Sequence, residues 1–316
     1  MTILIFLITA VIVIAAAIQL NKYGDVINQK SSLSGALIGT LLIGGATSLP
    51  ELTTSLTAVY IDNPDIAVGN MLGSNVFNIM ILMVFDFIYR KKKVFNTVDN
   101  RTHLPVANTG FFMSAILAVF IFWDSSPSFF QIGIEMYLLL IIYIVVMKRL
   151  DSEDEEVEQT SNLTLKQGTI GFIIAALVVF GAGSVLTIAG DAIAQQTGMN
   201  SSFVGSFLIA ASTSLPELVT VLAAFRLAKY SIAIGSILGS NLFNIQLLVI
   251  TDIFYQKGPI LNIASMSNIT TALLGIGMTA IIIYTLQRPS VKRLVIYALP
   301  STVTIILYFV ASYMMF

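Results

Sequence analysis

The sequence predicts an all-α integral membrane protein with ten transmembrane helices in two inverted five-helix repeats. Three observations support this prediction: the composition, ten long apolar stretches and an internal repeat. Of the 316 residues, 56% are hydrophobic and only 10% are charged, whereas soluble domains carry about 25% charged residues. A soluble globule of this size could not hide so much apolar surface. The chain is therefore expected to lie in a lipid bilayer.

Ten stretches are long and apolar enough to cross a bilayer, which takes about 20 mostly apolar residues in a helix. None has the alternating pattern of a membrane barrel strand. The ten predicted segments are residues 2–20, 34–60, 66–89, 106–123, 129–147, 168–188, 202–225, 231–254, 267–286 and 293–315. A hydrophilic acidic loop at 148–166 separates a first five-helix repeat, 1–147, from a second, inverted one, 167–316.

The two halves share an internal repeat with an offset of 166 residues. This offset aligns residues 20–89 with 186–255 without a gap, and 23 of the 47 positions in 43–89 are identical to their partners. Two motifs recur: T-S-L-P-E-L at 47–52 and 213–218, and L-G-S-N-x-F-N-I at 72–79 and 238–245. Since each half has an odd number of segments, the second enters the membrane from the opposite side, as in many secondary transporters.

The distribution of basic residues predicts the orientation. Connections after the first, third, fifth, seventh and ninth segments hold 15 of the 16 Lys and Arg residues, and the other side holds only Lys257. Lys and Arg concentrate in cytoplasmic loops. We therefore expect a multi-pass protein of the cell membrane, with both termini outside and the acidic loop in the cytoplasm.

Composition also excludes several kinds of chemistry. A net charge of −1 gives no sign of the basic surface that binds nucleic acid. The lack of cysteine excludes disulfides and thiolate metal sites. The single histidine, His103, is expected to be solvated in a cytoplasmic loop. Asp86 and Asp252 match across the repeat but are expected near helix ends, outside any central site.

Two glutamates carry the central inference. Glu51 and Glu217 occupy equivalent places near the middle of the second and seventh segments. An ionised carboxylate there costs about 3 kcal/mol or more without a partner, and no Lys or Arg lies in the middle third of any segment. The missing positive charge is expected to come from a bound cation or from protons.

Oxygen-bearing groups surround each glutamate in the sequence. Pro50 and Pro216 precede the glutamates and cannot donate an N–H, so backbone carbonyls near Gly44 and Ala210 are expected to be freed from helix bonding. Seryl, threonyl and asparaginyl side chains supply further oxygens on the same segments and on the third and eighth: Thr47, Ser48, Thr213, Ser214, Ser74, Asn78, Ser240 and Asn244. Hard cations such as Ca²⁺ and Na⁺ take all-oxygen sites. Two glutamates are neutralised by one Ca²⁺ or by two monovalent cations, and this competition is a basis for exchange.

These residues resemble the α-repeats of the cation/Ca²⁺ exchanger superfamily, most closely the prokaryotic Na⁺/Ca²⁺ exchangers. The resemblance implies a core of the second, third, seventh and eighth helices, across which the first and sixth slide to alternate access. It implies that Glu51 and Glu217 are shared Ca²⁺ and Na⁺ ligands and that Asn78 and Asn244 line the middle of the site. It also implies that hydroxyls and carbonyls complete the Na⁺ sites: Thr47, Ser48, Thr213, Ser214, Ser74, Ser240, Gly44 and Ala210.

The preferred function is a Na⁺-driven Ca²⁺ antiporter, with a Ca²⁺/H⁺ antiporter on the same glutamates as the alternative. A cation channel and an intramembrane enzyme are further classes. The enzyme is disfavoured because no base accompanies a serine and because the site is duplicated. The expected partners are Ca²⁺, Na⁺ or H⁺ and the lipid bilayer. No prosthetic group and a monomer are expected.

Overall fold

A computed structural model describes residues 1–30, 45–123, 125–148 and 162–316. Their secondary structure is almost entirely helical. The helices, labelled in chain order, are α1 (Thr2–Lys30), α2 (Leu49–Tyr60), α3 (Pro64–Ile88), α4 (Asn100–Trp123), α5 (Ile134–Met147), α6 (Leu165–Thr197), α7 (Ser201–Thr213), α8 (Leu215–Arg226), α9 (Tyr230–Phe254), α10 (Ile260–Ile263), α11 (Asn268–Gln287) and α12 (Leu294–Met315). Two 3₁₀ turns, Arg90–Lys92 and Val94–Asn96, follow α3, and an antiparallel pair of two-residue strands, β1 (Ser128–Phe129) and β2 (Ile132–Gly133), precedes α5.

Within the described residues, seven helices are long and apolar enough to cross a membrane: α1, α3, α4, α6, α9, α11 and α12. The pair α7 and α8 is bent by 46° and would make an eighth span if it crosses as one unit. Helix α5 is apolar but has only 14 residues. The all-α membrane class is therefore confirmed, while the ten-helix count and the inverted arrangement stay predictions.

Helices α3 and α9 form the centre of the molecule. Within the 18-residue apolar stretch of each span candidate, 78% of α3 and 67% of α9 is buried, against 33–44% in the other five. Helix α3 packs against α2, α7, α9, α11 and α12, while α1 and α6 pack against each other. The two central helices carry the L-G-S-N-x-F-N-I motifs, so this motif lies in the most protected part of the fold.

Glycines allow α3 to approach α7 at backbone distance. A Cβ on Gly73 would lie 2.1 Å from the carbonyl oxygen of Ser206, and one on Gly69 would lie 2.9 Å from that of Ser202. Residues Val204–Ile209 of α7 form a π-helical turn at this contact. Small residues permit such close helix packing in membranes. The contact holds α7 against the centre of the fold.

A break in the helix precedes each of the two glutamates. Residues 45–47 are helical, Ser48 is a turn residue, and α2 begins at Leu49 with Pro50 in its first turn. Ser214 separates α7 from α8, and Pro216 lies in the first turn of α8. Proline fits a first turn because the N–H groups there lack helical partners. The two T-S-L-P-E-L motifs thus start a new helix inside the apolar region.

Several predicted boundaries are wrong. Helix α1 continues to Lys30 instead of ending at residue 20, and α6 spans Leu165–Thr197, well beyond 168–188. Hydropathy identifies the apolar part of a helix, and a helix can continue past it. The segment predicted at 129–147 begins with the β1–β2 hairpin, and α5 starts only at Ile134. Of the loop predicted at 148–166, residues 149–161 lie outside the described residues, and Leu165 already belongs to α6.

The solvated loop position expected for His103 is also wrong. His103 lies in α4 and is only 4% exposed, and its Nε2 is 2.8 Å from Ser231 Oγ on α9. Its hydrogen-bond partner lies 128 residues away, so local sequence gave no sign of the contact.

The α3–α7 contact leads to a first prediction. Gly73→Ala places a methyl group on the Ser206 backbone and should lower the melting temperature in detergent, since overpacking costs about 1–3 kcal/mol. The matched control is Gly239→Ala, at the repeat-equivalent position on α9, where the described residues place nothing within 4 Å of an added Cβ. Equal melting temperatures for the two variants would contradict the assigned contact.

Candidate cation-binding site

Glu51 and Glu217 are the third residues of α2 and α8. They are only 1% and 4% exposed. Their first-turn position is favourable for anions, because the N-terminus of a helix carries partial positive charge. Ser214, three residues before Glu217, is hydrogen bonded to Glu51 Oε1, so the starts of α2 and α8 lie close together.

Among the described residues, one oxygen of each carboxylate has no hydrogen-bond partner. Ser214 Oγ donates a hydrogen bond of 3.2 Å to Glu51 Oε1. Glu51 Oε2 and Glu217 Oε2 are buried without a hydrogen-bond partner. Among the described residues, the ion pair found joins Lys257 to Asp62 and involves neither glutamate. Burying a carboxylate without compensation is expensive, so this arrangement is suited to an added positive charge.

Among the described residues, four neutral oxygens that the sequence assigned to the site are also buried without a hydrogen-bond partner. They are Ser48 Oγ, Ser74 Oγ, Asn78 Oδ1 and Asn244 Oδ1. Each belongs to a residue at most 2% exposed. All four belong to residues of the two repeated motifs. Buried polar groups without a partner are uncommon in native proteins, so these oxygens are candidates for contact with a bound ion.

Four asparagines join α3 to α9 by reciprocal hydrogen bonds. Asn75 Nδ2 donates to the Asn241 carbonyl oxygen at 3.1 Å, and Asn241 Nδ2 donates to the Asn75 carbonyl oxygen at 3.0 Å. Asn78 Nδ2 donates to Asn241 Oδ1, and Asn244 Nδ2 donates to Asn75 Oδ1, both at 3.0 Å. The four bonds form two equivalent pairs: replacing each residue of one bond by the residue 166 positions away gives the other bond of the pair.

This asparagine quartet fixes which amide atom faces the site. A backbone carbonyl can only accept, so Asn75 and Asn241 must present Nδ2 to it and keep Oδ1 as an acceptor. Asn78 and Asn244 must then donate with Nδ2, which leaves their own Oδ1 atoms unpaired. The orientation of both amides follows from the backbone contacts.

The remaining predicted residues differ in their surroundings. Thr213 is fully buried, and its Oγ1 donates to the carbonyl oxygen of Ala210 at 3.2 Å and to Asn70 Oδ1 at 3.5 Å. Thr47 is half-buried with a polar contact, and Ser240 is half-buried on α9. Gly44 lies outside the described residues.

The prediction that the Ala210 carbonyl is freed from helix bonding is wrong. Ala210 O accepts from Ser214 N at 3.0 Å as well as from Thr213 Oγ1. Proline at 216 removes the N–H that would bond residue 212, whereas the partner of Ala210 is the intact N–H of Ser214. A role for this carbonyl as a cation ligand stays a prediction and requires the Thr213 hydroxyl to turn away.

Three supporting residues were missed. Asn75 and Asn241 belong to the repeated motif and could have been found by that identity. Asn70 Nδ2 donates to the Glu51 carbonyl oxygen at 3.1 Å and to the hydroxyls of Thr54 and Ser55 at 2.7 and 2.9 Å. Its repeat partner is Ser236, so the repeat gave no signal for Asn70.

The chemistry of the site is that of hard cations. Its donors are carboxylate, hydroxyl and amide oxygens, which suit Na⁺ and Ca²⁺ better than transition metals. In the described part of the chain, no group of three or more His, Cys, Asp or Glu side chains could hold a metal ion. A cation between the glutamates would therefore need the neutral oxygens as well.

Several curated proteins are similar to this chain. Inner membrane protein YrbG of Escherichia coli is 28% identical over 75% of this chain and 72% of its own length. The putative antiporter CaxA of Alkalimonas amylolytica is 25% identical over 76% of this chain and 77% of its own length. The sodium/calcium exchanger MaX1 of Methanosarcina acetivorans is 26% identical over 89% of each chain.

Three solved structures, two of them of exchangers, share the fold. Native YfkE superposes with a TM-score of 0.74 and 17% identity over 100% of this chain and 92% of its own. The H⁺/Ca²⁺ exchanger CAX gives 0.69 and 15% over 99% and 88%. The sodium-calcium exchanger NCX_Mj gives 0.60 and 20% over 98% and 97%.

A family model described as "Sodium/calcium exchanger protein" matches residues 1–148 and 167–316, on both sides of the acidic loop. The predicted resemblance to the cation/Ca²⁺ exchanger superfamily is thereby confirmed. The chain belongs to the sodium/calcium exchanger protein family and is a membrane cation/Ca²⁺ exchanger, a secondary transporter and not an enzyme.

Proposed function

We propose that this chain is a Na⁺-driven Ca²⁺ antiporter that alternates access around Glu51 and Glu217. The observation that carries the proposal is the set of buried oxygens, at these glutamates and at Ser48, Ser74, Asn78 and Asn244, that find no partner among the described residues. Such oxygens are costly in an apolar interior, and a dehydrated cation needs them as ligands. No prosthetic group is required, because the bound ions are the cargo.

Charge balance links the two ions. One Ca²⁺ or two Na⁺ neutralise the two carboxylates, so occupancy by one ion disfavours the other. The neutral oxygens distinguish this arrangement from a simple proton carrier, since a hydroxyl or an amide oxygen coordinates Na⁺ but does not bind a proton near neutral pH. The similarity to MaX1, a sodium/calcium exchanger, agrees with this choice.

The alternative is Ca²⁺/H⁺ exchange on the same glutamates. Two neighbouring buried carboxylates can share protons, and the CAX structure, an H⁺/Ca²⁺ exchanger, has this fold. Because the two sequences are only 15% identical, this similarity is evidence for the fold and not for the ion that drives Ca²⁺ transport. The driving ion is therefore the variable that the first experiment must separate.

We further propose ten transmembrane helices in two inverted five-helix repeats, 1–147 and 167–316, around the acidic loop. The reciprocal bonds of the asparagine quartet support a pseudo-twofold axis between α3 and α9. The pairing of α1 with α6 supports a separate two-helix unit that slides across the core. The proposed unit is a monomer with both termini outside the cell.

The decisive experiment measures ⁴⁵Ca²⁺ uptake into proteoliposomes. Uptake should follow an outward Na⁺ gradient and persist with a protonophore. Glu51→Gln and Glu217→Gln should each reduce the initial rate to about a tenth or less, because each removes one charge from a hard-cation site. Asp62→Asn, an exposed acid at the protein surface, is the control and should leave the rate unchanged.

Two results would overturn parts of the proposal. Uptake driven only by a pH gradient and abolished by the protonophore would assign the glutamates to proton exchange. Full Na⁺-driven uptake by either glutamine variant would remove that residue from the site.

The asparagine quartet gives a second test. Asn75→Ala removes the acceptor that orients Asn244 without removing a proposed ligand. It should raise the Ca²⁺ concentration for half-maximal uptake by about tenfold, the scale of losing a ligand-orienting contact, with a smaller effect on the maximal rate. Asn96→Ala is the matched control, since Asn96 also bonds backbone, at Val291, and lies beyond the end of α3, outside the quartet. Equal concentration dependence in both variants would contradict the orienting role.

The proposed orientation is testable because the chain has no cysteine. Gln256→Cys should react with a membrane-impermeant maleimide on intact cells, whereas Lys91→Cys should react only after permeabilisation. Both side chains are exposed, so accessibility in the folded protein does not separate them. The reverse labelling pattern would place the termini in the cytoplasm.

A further inference from the structure

A second group of buried acids lies at the junction of α9 and α5, away from the asparagine quartet. It consists of Glu135, Asp252 and the hydroxyl of Ser126, here called the Glu135 cluster. Glu135 and Asp252 are 0% and 1% exposed, and Ser126 is 8% exposed. Glu135 is the second residue of α5, and Asp252 lies two residues before the end of α9.

Backbone contacts bring the two carboxylates together. Gly133 N donates to Asp252 Oδ2 at 2.9 Å. The Glu135 carboxylate folds back over the same glycine, so closely that a Cβ on Gly133 would lie 2.2 Å from Glu135 Oε1. Both carboxylates therefore lie against Gly133.

Asp252 is satisfied on both carboxylate oxygens, since its Oδ1 also accepts from Ile260 N at 2.6 Å. Within the described residues, both oxygens of Glu135 and the Oγ of Ser126 are buried and form no hydrogen bond of regular geometry, although the Ser126 hydroxyl and the Glu135 N–H lie beside the carboxylate. In the same part of the chain no ion pair reaches either acid. Three buried oxygens thus lie together where the described residues supply no counter-charge.

The equivalent position in the other half of the chain is filled differently. Asp86 is the repeat partner of Asp252, and 166 residues after Glu135 comes Ser301. Asp86 accepts hydrogen bonds from the hydroxyls of Ser301 and Tyr297. Asp86 is therefore hydrogen bonded by hydroxyl groups, whereas Asp252 has the carboxylate of Glu135 as its neighbour. Glu135 is therefore not required simply to hold the aspartate in place.

We propose that the Glu135 cluster is a second binding site for a hard divalent cation such as Ca²⁺, separate from the transport site. Glu135 and Asp252 supply two negative charges, and Ser126 supplies a neutral oxygen. The first-turn position of Glu135 and the two N–H bonds of Asp252 offset part of the cost of burying two charges, and a divalent cation would offset the rest. Carboxylates and hydroxyls are the ligands that Ca²⁺ takes. A bound ion would tie the β1–β2 hairpin to the end of α9, on the outer face in the proposed topology.

The test is equilibrium ⁴⁵Ca²⁺ binding to the full chain in detergent, without Na⁺. The Glu51→Gln, Glu217→Gln double variant removes the proposed transport site and should retain one bound Ca²⁺ per chain. Adding Glu135→Gln should abolish this residual binding, and adding Asp62→Asn, the exposed control, should not. Ca²⁺ should also raise the melting temperature of the double variant, since a ligand of the folded state stabilises it, and Glu135→Gln should remove the rise.

Absence of residual binding in the double variant, or equal binding with and without Glu135→Gln, would overturn the proposal. Ser126→Ala keeps both carboxylates and should weaken the residual affinity, so an unchanged affinity would also overturn it, even if Glu135→Gln fails to fold. The proposals for the two sites can be contradicted independently of each other. If the double variant still exchanges Ca²⁺, the transport site is wrong, while the loss of one bound Ca²⁺ in Glu135→Gln alone would still support the Glu135 cluster.

Discussion

Two carboxylates buried in an apolar interior without a protein counter-charge are the constraint on which the rest of this structure depends. Glu51 and Glu217 are almost fully buried, and one oxygen of each has no partner among the described residues. The fold tolerates them at the start of α2 and α8, where the helix N-terminus favours negative charge. Each helix can start there because proline in the first turn follows a break at Ser48 or Ser214. The six-residue motif T-S-L-P-E-L therefore contains both the residues that break the helix and the carboxylate that needs a cation.

Orientation of the neutral oxygens depends on a second level of contacts. The asparagine quartet uses backbone carbonyls to fix Asn75 and Asn241, and these in turn fix Asn78 and Asn244. Because α3 and α9 are the most buried span candidates, these bonds are shielded from water and hold one geometry. The contact of Gly73 with the Ser206 backbone adds α7 to the same unit. A preorganised core of this kind is what a transporter needs if other helices are to move around it.

The two halves are related in sequence but not identical in chemistry. Asn70 ties α2 to α3 and has a serine as its repeat partner. Asp86 is held by Tyr297 and Ser301, whereas Asp252 faces Glu135. The motif residues of the two halves match closely, while the ends of the central helices have diverged. The two ends of the central pair therefore have different polar surroundings around a shared motif.

The sequence alone determined the all-α membrane class and the family, and it predicted that two glutamates and neutral oxygens form the site. These follow from hydropathy and from polar residues repeated in an apolar background, and both are local signals. Tertiary structure alone decided the contacts between distant segments. His103 meets Ser231 in the interior, Asn75 fixes Asn244, Thr213 occupies the Ala210 carbonyl, and Glu135 folds over Gly133 beside Asp252. The first two pairs lie well over a hundred residues apart, and the last two depend on backbone geometry. Neither kind of contact leaves a periodic pattern, because it depends on how helices cross and not on how each one forms.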